Sequence, residues 1–308
     1  MHYGKYIVKS QLLKEVKLVQ PSVSVVIPVY NGEKYIKKCL DSLSQQTLAD
    51  NKYEIIIVDN GSSDISVQIA ENYNVKLLKE PKRGSYAARN KGIKNALGDI
   101  IAFTDVDCIV AKDWLEQAVK YYDDNKDAEI IAGQVEFFSD QMLSVWGYFD
   151  KNTFLNQEYS YNTGVAKTAN LFVAAKVFKT VGLFDGTLQS GGDVDWTAKA
   201  VSKGISIHYE PKAVVYHPVR NSFNEIAQKV YRVGSGKGQV LKNNYDRRSS
   251  NFGKKHLKHP FKILGEAMIK KDKEKPSYHP FQMVFVLLIL GFVFLSGMGK
   301  GLLMRKVS

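Results

Sequence analysis

Between residues 23 and 104 the hydrophobic pattern switches back and forth between two periods, which few folds accommodate. Residues 23–29, VSVVIPV, form a near-continuous apolar run, as expected of a parallel strand covered on both faces. Over 33–43 the apolar residues Tyr35, Ile36, Cys39, Leu40 and Leu43 fall instead at the spacing of one buried helix face. Residues 53–58 (YEIIIV) predict a second strand, ending in the turn-forming sequence Asp59-Asn60-Gly61-Ser62-Ser63-Asp64. A helix to Tyr73, a strand over 75–78, a helix over 85–96 and a strand over 99–104 continue the alternation. This order specifies an α/β fold: a doubly wound, mainly parallel sheet with helices on both faces.

Beyond residue 110 the pattern is less regular. Helices are predicted over 112–125, 176–181 and 194–203, and helical spacing returns at Phe223, Ile226, Ala227, Val230 and Tyr231. Strands are predicted over 130–135, 205–209 and 213–216, and an aromatic-rich stretch fills 137–161.

Sheets of this kind bind ligands outside the carboxyl ends of their strands. Polar loops stand there at 30–32, 59–64 and 104–107. No G-x-G-x-x-G follows the first strand and no Walker sequence occurs, which argues against dinucleotide oxidoreductases and P-loop enzymes. Asp105 and Asp107, two residues apart after an apolar strand, can reach one site. Two anions held together cost energy unless a cation lies between them, and a divalent metal bridging a diphosphate meets that need. A solvated acidic turn is the plainer alternative. Asp193 and Asp195 begin a predicted helix after Gly191-Gly192; Asp193 is either its N-cap or a carboxylate base for an acceptor hydroxyl. Arg83 and Arg89 stand near the N-terminus of the 85–96 helix, a favourable place for phosphate, though Arg89 also suits a salt bridge. His217 ends the apolar run AVVYH and is either a metal ligand or a hydrogen-bonded structural residue.

Charge locates the partners. The net charge of +12 is uneven: residues 1–219 hold 25 Lys and Arg against 26 acidic residues, 220–275 hold 15 against 5, and 276–308 hold 3 against none. A uniformly basic chain would suggest nucleic acid, whereas a neutral body with a basic tail and an apolar run suggests a membrane surface and no nucleic acid. That run, 281–299, has nineteen residues without a charge, near the lower limit of the roughly 17 to 25 needed to span a bilayer. It could span, lie as a re-entrant or interfacial hairpin, or be a buried core helix. Lys270, Lys271, Lys273 and Lys275 precede it and Lys300, Arg305 and Lys306 follow, so no orientation emerges. The first twenty residues carry Lys5, Lys9, Lys14 and Lys17 without an apolar segment, so the catalytic part is expected on the cytoplasmic side. Cys39 and Cys108 are too few for a disulfide scaffold or a thiolate zinc site, and read as buried thiols of a reducing compartment.

The stretches SVVIPVYNGEKYIKKCLDSLSQQT, EIIIVDNGSSD, RGSYAARNKGI, GDIIAFTDVDC, FKTVGLFD and GGDVDW, in this order, closely resemble the family 2 glycosyltransferases of GT-A fold. The resemblance covers residues 23–217. It implies inverting transfer of a sugar from a nucleotide diphosphate sugar, a UDP-sugar above all, to a hydroxyl of a glycan or lipid-linked acceptor, with Mn²⁺ or Mg²⁺, in cell-surface polysaccharide or glycolipid synthesis. By this resemblance Pro28, Tyr30 and Glu33 border the base pocket and Asp59 reads the base. Arg83 and Arg89 are both candidates for the diphosphate or donor sugar. Asp105 and Asp107 match the D-x-D, with Asp107 the direct metal ligand and Asp105 toward ribose or sugar, and His217 matches a third ligand of some members. Asp193 falls on the aspartate of the family's Glu-Asp pair and becomes the general base; Asp195 is the second candidate, because Gly192 stands where glutamate is usual. The aromatic stretch 137–161 is the expected acceptor side, where sugar faces stack on rings.

The organisation that follows is an N-terminal extension (1–20) and a catalytic domain (21–219) with a nucleotide-binding half (21–110) and an acceptor-binding half (111–219). A basic helical region (220–275) and a hydrophobic, membrane-associating segment (276–308) complete it. Two other readings stay open: a metal-dependent nucleotidyltransferase, and a catalytically silent glycan- or lipid-binding protein on the same scaffold.

Overall fold

The computed structural model describes residues 21–246 and 280–304. The expectations for 1–20, for most of the basic region (247–275), and for 276–279, Arg305 and Lys306 lie outside the described residues.

Among the described residues eight strands make one sheet: β1 (Val23–Val29), β2 (Tyr53–Asp59), β3 (Lys76–Lys79), β4 (Ile100–Thr104), β5 (Ile109–Val110), β6 (Ile130–Phe138), β7 (Asn170–Ala174) and β8 (Ile207–Pro218). Their order is β3-β2-β1-β4-β7-β6-β8-β5. The first four strands are mutually parallel, β7 runs against both β4 and β6, β8 is parallel to β6, and β5 closes the edge antiparallel to β8.

Among the described residues the α-helices are α1 (Glu33–Leu43), α2 (Ser66–Ala70), α3 (Ser85–Ile93), α4 (Trp114–Asp124), α5 (Val145–Thr153), α6 (Gln157–Asn162), α7 (Val177–Val181), α8 (Gly192–Ser202), α9 (Phe223–Asp246) and α10 (Pro280–Leu303). They cover both faces, which is why β1 reads as nearly continuous apolar sequence. Val23, Val25, Ile27 and Val29 pack with Ile36, Leu40 and Leu43 of α1 and with Trp114 and Leu115 of α4. Val26 points the other way, into a core with Ala88 of α3, Phe178 of α7 and Trp196 of α8. A third apolar cluster joins Phe149 of α5, Ile226 and Val230 of α9, and Val286, Leu290 and Phe294 of α10.

Three expectations change. The two strands predicted over 205–209 and 213–216 are one strand, β8: Glu210 and Val214 oppose the consecutive residues Gly133 and Gln134, so 211–213 bulge out. Pro211, which has no N–H to donate, sits in that bulge. The helix expected to run to Tyr73 is only α2, and the one expected over 85–96 stops at Ile93, where Asn95 Nδ2 turns back to the Lys91 carbonyl at 2.9 Å. The aromatic stretch contains two short helices, capped by Ser144, which accepts from Gly147 N at 3.2 Å, and by Asn156, which accepts from Tyr159 N at 2.8 Å. Strand β7 had no counterpart in the sequence reading.

Candidate active site

A cavity of about 1240 Å³ opens at the carboxyl ends of β1, β2 and β4, with α3, α8, α9 and α10 contributing to its walls. Pro28, Tyr30, Arg83, Arg89, Asp105, Asp107, Asp193 and Asp195 line it; Glu33, Asp59 and His217 are not among the lining residues.

The loops after β1 and β2 are tied together. Asn31 N donates to Ser62 Oγ at 3.0 Å and Gly32 N to Ser66 Oγ at 2.7 Å. Within this weave Asp59 Oδ1 accepts from Ser62 N at 2.9 Å, and Glu33 Oε2 accepts from Ile65 N at 3.4 Å. Asn60 does the anchoring toward α3: its Nδ2 donates to the carbonyls of Glu80 and Lys82 and its Oδ1 accepts from Gly84 N, all at 2.8 Å. Arg83 then donates to the Asn60 carbonyl at 2.8 Å while its guanidinium lies 3.6 Å from the Tyr30 ring centroid. Such stacking fixes a cation over an aromatic face.

Each carboxylate of the D-x-D has its own arginine. Asp105 pairs with buried Arg89 of α3, and Asp107 accepts from Arg220 at 3.1 Å, with His217 Nε2 at 3.6 Å. The cost of holding two anions side by side is thus offset by two guanidinium groups from distant parts of the chain. Burial opposes ionisation of Asp107, but the positive charge around it, that of Arg220 and Lys229 included, outweighs it and holds the carboxyl below its usual range. Arg89 Nε is buried without a hydrogen-bond partner among the described residues.

His217 is almost fully buried, and its Nδ1 lies 2.7 Å from the Pro218 carbonyl. A carbonyl only accepts, so Nδ1 carries the hydrogen and the neutral ring turns the lone pair of Nε2 toward Asp107. Burial keeps His217 below its ordinary pKa, against the pull of Asp107. Ligating atoms of Asp107, Cys108 and His217 lie within 4.8 Å of one another. Burial pushes the Cys108 thiol far up, and a protonated thiol is a poor ligand. What remains, carboxylate oxygens and one imidazole nitrogen, suits Mn²⁺ or Mg²⁺.

Behind Asp107 a buried chain of charge continues. Arg220 N donates to Asp150 Oδ2 at 3.0 Å, and Lys229 Nζ lies 2.6 Å from Asp150 Oδ1, with Asp150 fully buried. Asp107, Arg220, Asp150 and Lys229 therefore link the loop after β4 to α5 and α9. Arg220 and Lys229 escaped the sequence reading; the signal available for Arg220 was a cation three residues beyond His217, at the end of the same strand.

Asp193 does not cap its helix. Gly191, in the left-handed region at φ 74°, is the N-cap, and α8 begins at Gly192. The Asp193 carboxylate is held by its own helix and by other elements: Oδ1 accepts from Val194 N at 2.9 Å and from Tyr86 OH at 3.0 Å, and Oδ2 from Thr168 N at 3.1 Å and Thr168 Oγ1 at 3.4 Å. Burial and the Asp193 charge raise the Tyr86 phenol well above its ordinary pKa, so it stays a donor. Tyr86 also went unnoticed in the sequence. Of the aromatic stretch, Phe149 and Phe154 reach the cavity wall, whereas Trp146 packs on Phe223 and Tyr161 stacks on Tyr209.

The chain was compared with known proteins. The family model for Glycosyl transferase family 2 matches residues 24–182. Glycosyltransferase AglE of Haloferax volcanii is 39% identical over 227 residues, covering 71% of this chain and 74% of AglE. A dolichyl N-acetyl-alpha-D-glucosaminyl phosphate 3-beta-D-2,3-diacetamido-2,3-dideoxy-beta-D-glucuronosyltransferase of Methanococcus voltae is 25% identical over 254 residues, 72% of this chain and 75% of that protein. Among solved structures, mannosyltransferase PcManGT from Pyrobaculum calidifontis, in complex with GDP-Man and Mn²⁺, superposes with a TM-score of 0.62 at 17% identity, over 93% of this chain and 88% of that one. TarS 1–349 of S. aureus, in complex with UDP-GlcNAc, gives 0.54 at 19% identity, over 91% and 89%. The solved structures share the fold. With the family model spanning half its length and a relative 39% identical over more than two thirds of it, the chain belongs to glycosyl transferase family 2 and is a glycosyltransferase of GT-A fold.

Proposed function

We propose that the chain moves a sugar, with inversion and with a divalent metal, from a nucleotide diphosphate sugar to a hydroxyl of a glycan or lipid-linked acceptor, in the synthesis of a cell-surface polysaccharide or glycolipid. A UDP-sugar is the proposed donor. The reading rests on one observation: Asp193, held by donors from α3 and from the segment before β7, lines the same cavity as Asp105 and Asp107.

In this mechanism the base pocket lies beside Pro28 and Tyr30, with Asp59 and Glu33 in the loops that shape it. Arg83 and Arg89 bind the diphosphate. Asp107, Asp105 and His217 would hold the metal, which when bound stabilises the charge that grows on the leaving diphosphate. Asp193 takes the proton of the acceptor hydroxyl as that oxygen attacks the anomeric carbon from the face opposite the leaving group. Tyr86, Thr168 and the Val194 N–H hold its carboxylate and fix its direction. Asp195 is the second candidate for the base. Residues 21–219 form the proposed catalytic domain, placed at the cytoplasmic face of a membrane; the apolar helix α10 supports the membrane association.

The solved structures of similar fold hold GDP-Man in one case and UDP-GlcNAc in another, so the donor is the first thing to test. Nucleotide sugars are screened with Mn²⁺ or Mg²⁺, reading thermal stabilisation and release of nucleoside diphosphate. A ligand that binds only the folded state raises its stability, so the true donor stands out. Release of pyrophosphate in place of nucleoside diphosphate would overturn the reading.

A further inference from the structure

An 18-residue stretch within Val284–Leu303 of α10 has a mean hydropathy of 2.0, yet only 33% of it is buried. The exposed large side chains, Phe285, Leu288, Phe292, Leu295 and Leu303, recur at helical spacing and follow one side. The other side, through Val286, Leu290 and Phe294, packs on Ile226 and Val230 of α9.

Further along, the two helices interlock through glycines four apart on both. A Cβ on Gly234 or Gly238 would fall on the carbonyls of Phe294 or Met298; one on Gly297 or Gly301 would fall on those of Tyr231 or Ser235. Small residues at this spacing let two helix backbones touch. The partners advance together along both helices, so the pair is parallel, and Lys242 Nζ closes its end on the Met304 carbonyl at 3.0 Å. From Val286 to Met304 the docked length is about 27 Å at 1.5 Å per residue.

That length decides the geometry. A helix crossing a bilayer passes through about 30 Å of hydrocarbon. With α10 docked, α9 would cross beside it, carrying Arg232, Lys237 and Lys242 into the acyl region and drawing in Gln189 and Ser190, which rest on Gln239 and Gly236. Lying flat requires none of this. The charge also fits an anionic surface: residues 247–279, which join the two helices, hold ten Lys and Arg against three acidic residues, and Lys300 lies in the last turn of α10.

We propose that α10, locked to α9, lies in the plane of an anionic lipid surface with Phe285, Leu288, Phe292, Leu295 and Leu303 in the acyl boundary, and does not cross the bilayer. This deepens the membrane placement proposed above, and its test reads lipid geometry instead of sugar transfer, so the two readings fail separately.

The test uses the full chain on vesicles of phosphatidylcholine with phosphatidylglycerol. Single cysteines at the five positions (Phe285→Cys, Leu288→Cys, Phe292→Cys, Leu295→Cys, Leu303→Cys) carry an environment-sensitive dye, quenched by lipids labelled at shallow or deep acyl positions; the two native cysteines are buried. The expected result is one shallow depth for all five. In a second measurement, Phe292→Asp with Leu295→Asp weakens vesicle binding at least tenfold without lowering the melting temperature. A profile deepest at residue 292 and shallow at 285 and 303 means a span and overturns the proposal. So does equal binding to vesicles without phosphatidylglycerol. A chain that ignores vesicles and dimerises through these residues covers its apolar side with a second copy, which overturns it as well.

Discussion

The hydroxyl of Tyr86 donates to Asp193 Oδ1 at 3.0 Å, and the same ring fills the space beside Gly192, where a Cβ would lie 2.8 Å from it. The absence of the usual glutamate at 192 is therefore matched by a phenol from α3. Asp193→Asn should abolish transfer and retain nucleotide binding, because amide nitrogen and oxygen can fill the same space but cannot take a proton. Tyr86→Phe should lower kcat about 10- to 100-fold with donor affinity unchanged, the effect of one hydrogen bond to a charged group. Steady-state kinetics beside calorimetry of nucleoside diphosphate binding separates the two; near-normal transfer by Asp193→Asn would remove it from the base role.

Asp107 stands between His217 and Arg220, and the hydrogen bond from Arg220 fixes its carboxylate. Asp107→Ala should abolish metal-dependent donor binding, seen by titration calorimetry with and without Mn²⁺. An affinity that is unchanged with metal present would count against ligation.

Lys229 is buried against Asp150, and burial brings its pKa down to about 8 from 10.5. Between these values the unfolded chain binds a proton that the folded chain does not, so stability rises with pH across that window; below about 8 the cost of the buried charge is fully present. Lys167, also brought to about 8 by burial, adds the same sign. Urea unfolding at pH 7.5 and 9.5 should show a gain on the order of 2 kcal/mol for each of the two lysines, with the share of Lys229 lost in the Lys229→Met, Asp150→Leu double variant. Asp150→Ala alone should cost about 3–5 kcal/mol, since it strands the lysine.

The α9–α10 seam leaves no room for a side chain at Gly301, whereas Gly299, two residues earlier, faces open space. Gly301→Val should destabilise the pair by about 1–3 kcal/mol or more, or separate it, and Gly299→Val should be tolerated. Melting temperatures of the two variants, measured side by side, make the comparison.

What could be read in advance follows from how local the signal is. β1 and α1 begin and end where their apolar periods do, because an unbroken pattern of seven or eleven residues carries its own boundaries. β7 is five residues long and opens on Asn170, a buried amide that accepts from Trp114 Nε1 at 2.9 Å and donates to the carbonyls of Gln134 and Ala213 at 2.7 and 2.8 Å. A polar residue so placed looks like loop until its partners are known. The same holds for the site. The acidic loops announce themselves, but Tyr86 meets Asp193 across 107 residues and Arg220 meets Asp107 across 113, distances over which a single sequence carries no pattern.

The family match stops at residue 182, before α8 and before β8. β8 pairs with β6 from Ile130 to Phe138, so a polypeptide ended there would present a bare ladder of backbone groups along nine residues of β6. Such an edge recruits other chains. Expressed alone, residues 21–182 should therefore collect in inclusion bodies, and sedimentation of the lysate would tell. The sheet is therefore completed only by a strand that lies beyond the stretch matched by the family model.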